Sequence, residues 1–448
     1  MRFSPRQKRG NMMRLKTAIF SLAVALAGIS TAARADNQTP TTSPIAVGSG
    51  NLPYDIRLRR VDTHRTLPTL QAFASGILGG IFSETGLWVI IGGRTNGLHN
   101  FSTDPLENFP PSAQNRRIWI IDPTSWKVWS RSIKNSRLSV DQVDQLSASA
   151  YEHVQLGDVL YVIGGYGYSR TAKDFKTFPT LTALDLPKIV DWVRKPAGSP
   201  DLADLIRQTS DETLRITGGQ MTVIGDRAIL AFGQDFDGGY GSPTAKQTYS
   251  GQVRSFHIVD DGRKLSIADI RRDPETPDLV SYRRRDLPMV PITDASGGEP
   301  KDEAVALAGV FTETGGMFTV PVEINAAGQP AQADPALNST FKQGMNGYDC
   351  ATIGLYSKAD GATHSVLFGG ISYIHYSGGQ FFEDSNFPFI NQITLLPAFG
   401  PLVLRQIRSA WLSPLTEVES ITPAGTLAEA RLDNRVWVVA GLSVPVTV

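Results

Sequence analysis

Apolar positions in this chain gather into short continuous runs that end in glycine. They are Leu87–Gly93, Leu160–Gly165, Ala228–Gly233, Ala304–Gly309, Ser365–Gly370 and Val436–Gly441. Runs of five or six β-branched, aliphatic or aromatic residues bounded by Gly predict strands buried on both faces, being too short for helices. Alignment on Gly92, Gly164, Gly233, Gly309, Gly369 and Gly441 gives spacings of 72, 69, 76, 60 and 72, a mean close to 70. A period of this size is the mark of a repeat array.

Within each period the alternation of apolar runs and Gly/Asp turns predicts four strands. The first unit reads Leu70–Gly76, Trp88–Gly92, Arg117–Asp122 and, after the turn Pro123-Thr124-Ser125, Lys127–Ile133 with Trp129. The second reads Tyr151–Leu156, Val159–Gly164, Leu181–Leu184 and Val190–Arg194 with Trp192. The third reads Gln220–Ile224, Ala228–Gly233, Gln252–Val259 and Leu265–Ile270. Four antiparallel strands per unit make a propeller blade, an arrangement that leaves few exposed edges. Only seven residues follow Gly441, so the sixth unit lacks outer strands of its own. Tyr54–Val61 alternates at period 2 and is expected to complete that last blade, because a bare edge invites aggregation.

The glycine pairs Gly92-Gly93, Gly164-Gly165 and Gly369-Gly370, with Trp129 and Trp192 after Asp-containing turns, resemble the kelch-repeat family over roughly residues 52–448. The resemblance implies an all-β, six-bladed kelch-like β-propeller. Its period exceeds the ~50 residues usual for kelch, and the excess lies in loops such as 94–116 and 371–388.

The N-terminus carries Arg2, Arg6, Lys8, Arg9, Arg14 and Lys16, then the apolar run Ala18–Ile29, then Ala33-Arg34-Ala35. That order predicts a secretory signal over residues 1–35, with a start at Met12 or Met13 as an alternative to Met1. The apolar run falls short of the ~20 residues needed to span a bilayer. Residues 36–51, rich in Pro, Ser, Thr and Gly, read as a flexible leader. The expected product is periplasmic or secreted, monomeric, and not inserted in a membrane after cleavage.

Composition narrows the partners. The chain has 43 Lys+Arg against 43 Asp+Glu, which removes the electrostatic argument for nucleic acid. A single cysteine, Cys350, excludes an intrachain disulfide framework. No His-x-x-His or His-Glu-x-x-His spacing supports a zinc site, and Asp235-x-Asp237-Gly238 lacks the rest of a calcium loop. The glycine pairs open no helix, so they are not phosphate cradles. Neither a cofactor nor a metal is expected. The run Arg283-Arg284-Arg285 reads as a charge cluster on a solvated face.

In a propeller the loops after the second strands and those entering the inner strands share one face. Here they carry Arg94, Asn96, His99, Tyr166, Tyr168, Arg170, Asp235, Asp237, Tyr240, Tyr373 and His375, with Tyr348 and Asp349 entering an inner strand. Gln71, Tyr151, Glu152 and His153 enter others. Aromatic faces beside amides, carboxylates and arginines suit a glycan or a protein surface. Glu152 and His153 are adjacent on a strand and point to opposite sides, so they cannot share a site. No acid–base constellation follows from spacing, and no catalytic residue is assigned. The expectation is a binding module for a glycan or protein. The alternative implied by resemblance is a sugar mutarotase similar to sialic acid mutarotase. A galactose oxidase-like enzyme, suggested by Cys350 near Tyr348, ranks last because the chain has no room for the extra domains.

Overall fold

The computed structural model describes residues 67–79, 86–294, 301–343, 346–348, 350–357 and 362–372. It also describes nine strands outside that set, at 45–47, 54–60, 374–377, 380–383, 389–398, 405–407, 416–423, 436–438 and 443–447. All of these lie in the unit Thr42–Val448. The architecture is all-β: among the described residues four antiparallel sheets have four strands each, beside sheets of seven, five and two strands.

The first sheet runs Ala74–Leu78, Leu87–Ile91, Arg117–Asp122 and Lys127–Ser132 in chain order. The third runs Gln220–Ile224, Arg227–Ala231, Val253–Asp260 and Leu265–Asp273. The fourth runs Met289–Asp294, Lys301–Ala306, Val322–Ile324 and Pro330–Gln332. The fifth begins Ala351–Ser357 and Ala362–Ile371, and Ser443–Thr447 adds to it in parallel, against Ala351–Ser357. The first strands of successive sheets neighbour one another from Ala74–Leu78 through Ser149–Leu156, Gln220–Ile224 and Met289–Asp294 to Ala351–Ser357.

The second sheet departs from expectation. Its fourth strand is Ile206–Ser210, and Leu186–Arg194, predicted in part as that strand, is a helix. The sequence carries the reason. Asp185 caps the helix by accepting from Lys188 N at 3.2 Å, and Pro187 sits in the first turn, where its missing N–H costs nothing. Leu186, Ile189, Val190 and Val193 then recur at helical spacing and are buried together. Trp192 is buried on this helix, with the Arg131 guanidinium 4.1 Å from its ring centroid. The inner strand of the first unit is shifted too, to Ala74–Leu78 from the expected Leu70–Gly76.

The core lies between sheets, which explains the continuous apolar runs. Along the second strand of the second sheet, Leu160 and Val162 pack toward the first sheet, while Tyr161 and Ile163 pack toward the third. Ala228 and Leu230 likewise face the second sheet, and Ile229 and Ala231 the fourth. A strand flanked by sheets on both sides has no polar face to show.

In the first five sheets two successive left-handed residues interrupt or follow the second strand: Gly92-Gly93, Gly164-Gly165, Phe232-Gly233, Ala308-Gly309 and Gly369-Gly370. Gly233 and Gly309 therefore match Gly93 and not Gly92, one place from the alignment drawn on sequence. The second residue of the pair donates across to the next unit. Gly93 N reaches Ala148 O at 2.8 Å, Gly165 N reaches Ile216 O at 3.0 Å and Gly233 N reaches Arg284 O at 2.8 Å. A Cβ at Gly164 would run into that same Ile216 carbonyl.

Tyr54–Arg60 pairs with Thr416–Pro423, which pairs on its other side with Val436–Val438. The N-terminal strand thus joins two strands from the C-terminal part of the chain, but next to Thr416–Pro423 and not at the free edge beyond Val436–Val438 where an outer strand was expected. The last strand, Ser443–Thr447, lies in the fifth sheet. Ile45–Val47, inside the predicted leader, pairs with Tyr54–Arg60.

Candidate functional site

A cavity of about 170 Å³ opens where the segments entering the inner strands converge. Those segments share a backbone device. Ala72, Ala150, Gly218 and Asp286 each adopt a left-handed conformation near the start of an inner strand. They are linked in series: Ala150 N donates to Ala72 O at 2.9 Å, Gly218 N to Ala150 O at 3.3 Å, and Asp286 N to Gly218 O at 2.6 Å. The ladder satisfies backbone groups that would otherwise be orphaned and sets the side chains of four units around one space.

Arg285 and Asp286 form the polar heart of the site. Arg285 Nε lies 3.5 Å from Asp286 Oδ2, and both side chains are largely buried. Asp286 also accepts from the Tyr348 hydroxyl, and Tyr240 accepts from Arg285. Burial pushes the Asp286 carboxyl above the usual range, while Arg285 and Arg94 pull it back. The expectation of a solvated Arg283–Arg285 cluster is overturned. Arg284 is fully buried and donates to the carbonyls of Ser281 at 2.9 Å, Ala308 at 2.9 Å and Val320 at 2.8 Å. Arg283 lies 4.2 Å from the Tyr249 ring centroid. A charge run exposes its members only when nothing in the fold offers them acceptors, and here strand-end carbonyls do.

Arg94 is held by its Nε donating to Gly97 O at 2.8 Å, over the Phe109 ring. His99 sits among the rings of Phe101, Phe109 and Tyr240 at centroid distances of 4.9, 5.0 and 4.5 Å. Its Nδ1 lies 2.7 Å from Asn100 O, and a carbonyl only accepts, so Nδ1 carries the proton and Nε2 is an acceptor. Burial, reinforced by Arg94 and Arg285, lowers His99 to about 4, and burial lowers His153 to about 4. Both are neutral near pH 7. Tyr166 donates to Gly238 O at 2.8 Å and accepts from Tyr240 N at 3.0 Å. Gln71 Oε1 is buried with no hydrogen-bond partner.

Of the residues singled out on sequence, Arg94, His99, Tyr166, Tyr240 and Tyr348 line the cavity, with Gln71, Tyr151 and His153 from the inner-strand entries. Others lie apart. Asn96 donates to Asn108 O at 3.2 Å, Arg170 pairs with Asp144 at 2.7 Å, and Tyr168 packs edge-on to Phe175. Asp235 and Asp237 sit in the strand Gln234–Asp237, where Asp237 pairs with Lys246. His375 falls in the strand Ile374–Ser377, and Asp349 and Tyr373 lie outside the described residues. His153 lines the cavity while Glu152 turns away, accepting from Gly219 N at 2.7 Å.

Sequence reasoning missed Arg285 and Asp286, together with Thr217, Gln220 and Gln234, which also line the cavity. One signal was present. The step from Ala150 to Gly218 is 68 residues and the step from Gly218 to Asp286 is 68 again, which puts Asp286 in the series of entry residues.

Cys350 packs between the fourth and fifth sheets with Val290, Ile292, Val305 and Leu367, not in the cavity. Among the described residues no group of three or more His, Cys, Asp or Glu is placed to hold a metal ion, and no helix is long and apolar enough to cross a membrane. No family model matches this chain, and no curated protein matches it.

Proposed function

We propose that this protein is an exported six-bladed kelch-like β-propeller, with residues 1–35 its secretion signal, that binds one sugar unit in the cavity where its inner-strand entries meet. The juxtaposition that carries the reading is Arg285 beside Asp286, both largely buried at the cavity. A flat protein-binding face has no use for a recessed ion pair. A sugar does, because its hydroxyls both donate and accept and its ring oxygen accepts. Asp286, Gln71 Oε1 and neutral His99 and His153 accept, Arg285 and Arg94 donate, and the rings of Phe109, Tyr166, Phe236 and Tyr240 meet the C–H faces. At ~30 Å³ per water in the liquid, the cavity of about 170 Å³ holds on the order of six waters, a volume that one monosaccharide fills. Sugar recognition at such a site is polar and precise in orientation.

The same pair favours a second reading, sugar anomerisation. The Asp286 carboxylate would take the proton of the anomeric hydroxyl as the bond from the anomeric carbon to the ring oxygen breaks. The electron pair of that bond goes to the ring oxygen, which takes a proton from Tyr348 with Arg285 stabilising the charge. The open-chain carbonyl then recloses on its other face with the reverse proton transfers.

Titration calorimetry of the mature protein against a panel of monosaccharides tests binding. Exchange spectroscopy between anomers tests turnover. Saturable monosaccharide binding lost in Asp286→Asn supports the reading, and anomer exchange above background adds the second. A panel in which no monosaccharide binds overturns both.

A further inference from the structure

One loop beside the cavity is built in a way its own stability does not require. Between Gly97 and Phe109 it is pinned throughout. Asn108 is fully buried, accepts from Ser102 N at 2.8 Å, and donates to Ser102 O at 2.7 Å and Tyr240 O at 2.7 Å. Asp104 caps the short helix α1, Pro105–Asn108, by accepting from Leu106 N at 2.9 Å. The loop also lies so close to residues 239–241 that a Cβ at Gly239 would strike Pro105 and one at Gly241 would strike Ser102 O. Yet this fixed loop holds three large apolar side chains in water: Leu98 is 38%, Phe101 54% and Leu106 54% exposed. Single exposed apolar residues are ordinary, but three on one rigid loop mark a contact surface.

Phe101 is tied to the cavity. Its ring packs 4.9 Å, centroid to centroid, from His99, which lines the cavity. The only charged residues between Gly97 and Phe109 are Asp104 and Glu107, so the surface is acidic and does not suit an anionic lipid headgroup or an acidic glycan. Two exposed amides, Asn96 and Asn100, flank it. An aromatic face beside amides, continuous with a sugar-sized cavity, has the chemistry of a second sugar position.

We propose that Leu98, Phe101 and Leu106 form a second subsite, where the next unit of a neutral glycan lays the C–H face of its ring on Phe101 while the terminal unit fills the cavity. This rests on the reading of the cavity as a sugar site. The ligand is then the end of a glycan chain rather than a free monosaccharide.

The test compares each neutral monosaccharide that binds with the di- and trisaccharides that end in it, by titration calorimetry on the full mature protein. Covering an exposed aromatic ring makes the longer ligand bind about tenfold tighter. Phe101→Ala removes that gain: because its ring touches His99 it weakens the monosaccharide too, but it lowers the affinity of the longer ligand about tenfold more. Phe101→Trp keeps the gain. Equal affinities for short and long ligands overturn the inference and leave the cavity reading standing, as does a Phe101→Ala loss that is the same for both. If no sugar binds, both fall. Phe101-dependent binding to phosphatidylcholine vesicles, or Phe101-dependent self-association on sedimentation, without a gain for longer sugars, also overturns it.

Discussion

The main-chain N–H of Asp286 donates to the carbonyl of Gly218 over 2.6 Å, and the two residues hold equivalent places in successive units, both left-handed. A Cβ on Gly218 would stand 2.8 Å from Asp286 Oδ1. Gly218→Ala is therefore expected to cost ~1–3 kcal/mol through backbone strain and to push the carboxylate out of the cavity. Thermal unfolding reads the first effect, and loss of sugar affinity by at least about tenfold reads the second. Gly225→Ala, also left-handed but with nothing within 4 Å, is the control. It carries the strain alone and leaves affinity intact.

Glu152 governs stability on the alkaline side. It is buried, and burial raises its carboxyl from 4.5 to about 8. Sign follows from linkage: the folded state holds this proton more tightly, so its contribution is fully present below pH 4.5 and is lost as pH rises through 8. The loss approaches ~1.4 kcal/mol per pH unit. Glu152→Gln, which keeps the acceptor for Gly219 N, is expected to be the more stable protein at pH 8 by a few kcal/mol. Urea unfolding at pH 5, 6.5 and 8 checks this, and equal pH profiles would refute it.

His99 and His153 act on the acid side with the opposite sign. Both are lowered from 6.5 to about 4, so the stability they confer is present above pH 6.5 and lost as pH falls through 4. His153→Gln is expected to flatten the acid limb of the same urea series. An unchanged limb would refute the assignment.

Arg284 is a cation held by carbonyl oxygens. Arg284→Met leaves the acceptors of Ser281, Ala308 and Val320 buried without a donor, and is expected to lower stability by ~3 kcal/mol or more. Arg284→Lys is expected to recover only part, because one ammonium cannot span the three directions. Chemical denaturation of the three proteins measures the order.

At the ends of the second strands, Ala308 and Phe232 take left-handed positions that other units give to glycine. Ala308→Gly relieves strain and is expected to raise stability by up to ~1 kcal/mol. Phe232→Gly relieves the same strain but empties a buried ring stacked 5.5 Å from Tyr282, and is expected to lower stability by ~2–3 kcal/mol. Opposite shifts in melting temperature are the signature.

Much of the strand pattern was legible because glycine marks each strand end and β-branched runs mark the strands. Leu87–Ile91 and Arg227–Ala231 follow directly from such runs. Val190–Arg194 was misread because a short apolar stretch fits either period, and Asp185-Leu186-Pro187, the helix-start signal, was passed over. The register slip at Gly233 has a physical cause as well. Phe232 occupies a glycine position, held there by packing that no local pattern reveals. Of the site, the aromatic loops were visible because they are longer than a turn needs. Arg285 and Asp286 were not, since charged runs face solvent by default and their burial depends on carbonyls supplied from distant strands.

The pairing of Tyr54–Arg60 with Thr416–Pro423 bears on how this chain is made. A ribosome delivers the first of these strands several hundred residues before its partner, at ~5–20 residues per second. Ile45–Val47 can pair with one edge of the early strand, but the other edge must wait with its hydrogen-bonding groups unmet while the intervening units take shape. Completion of that sheet is thus a late step in biogenesis, and a ribosome-stalled chain lacking residues 416–423 would expose the waiting strand to protease.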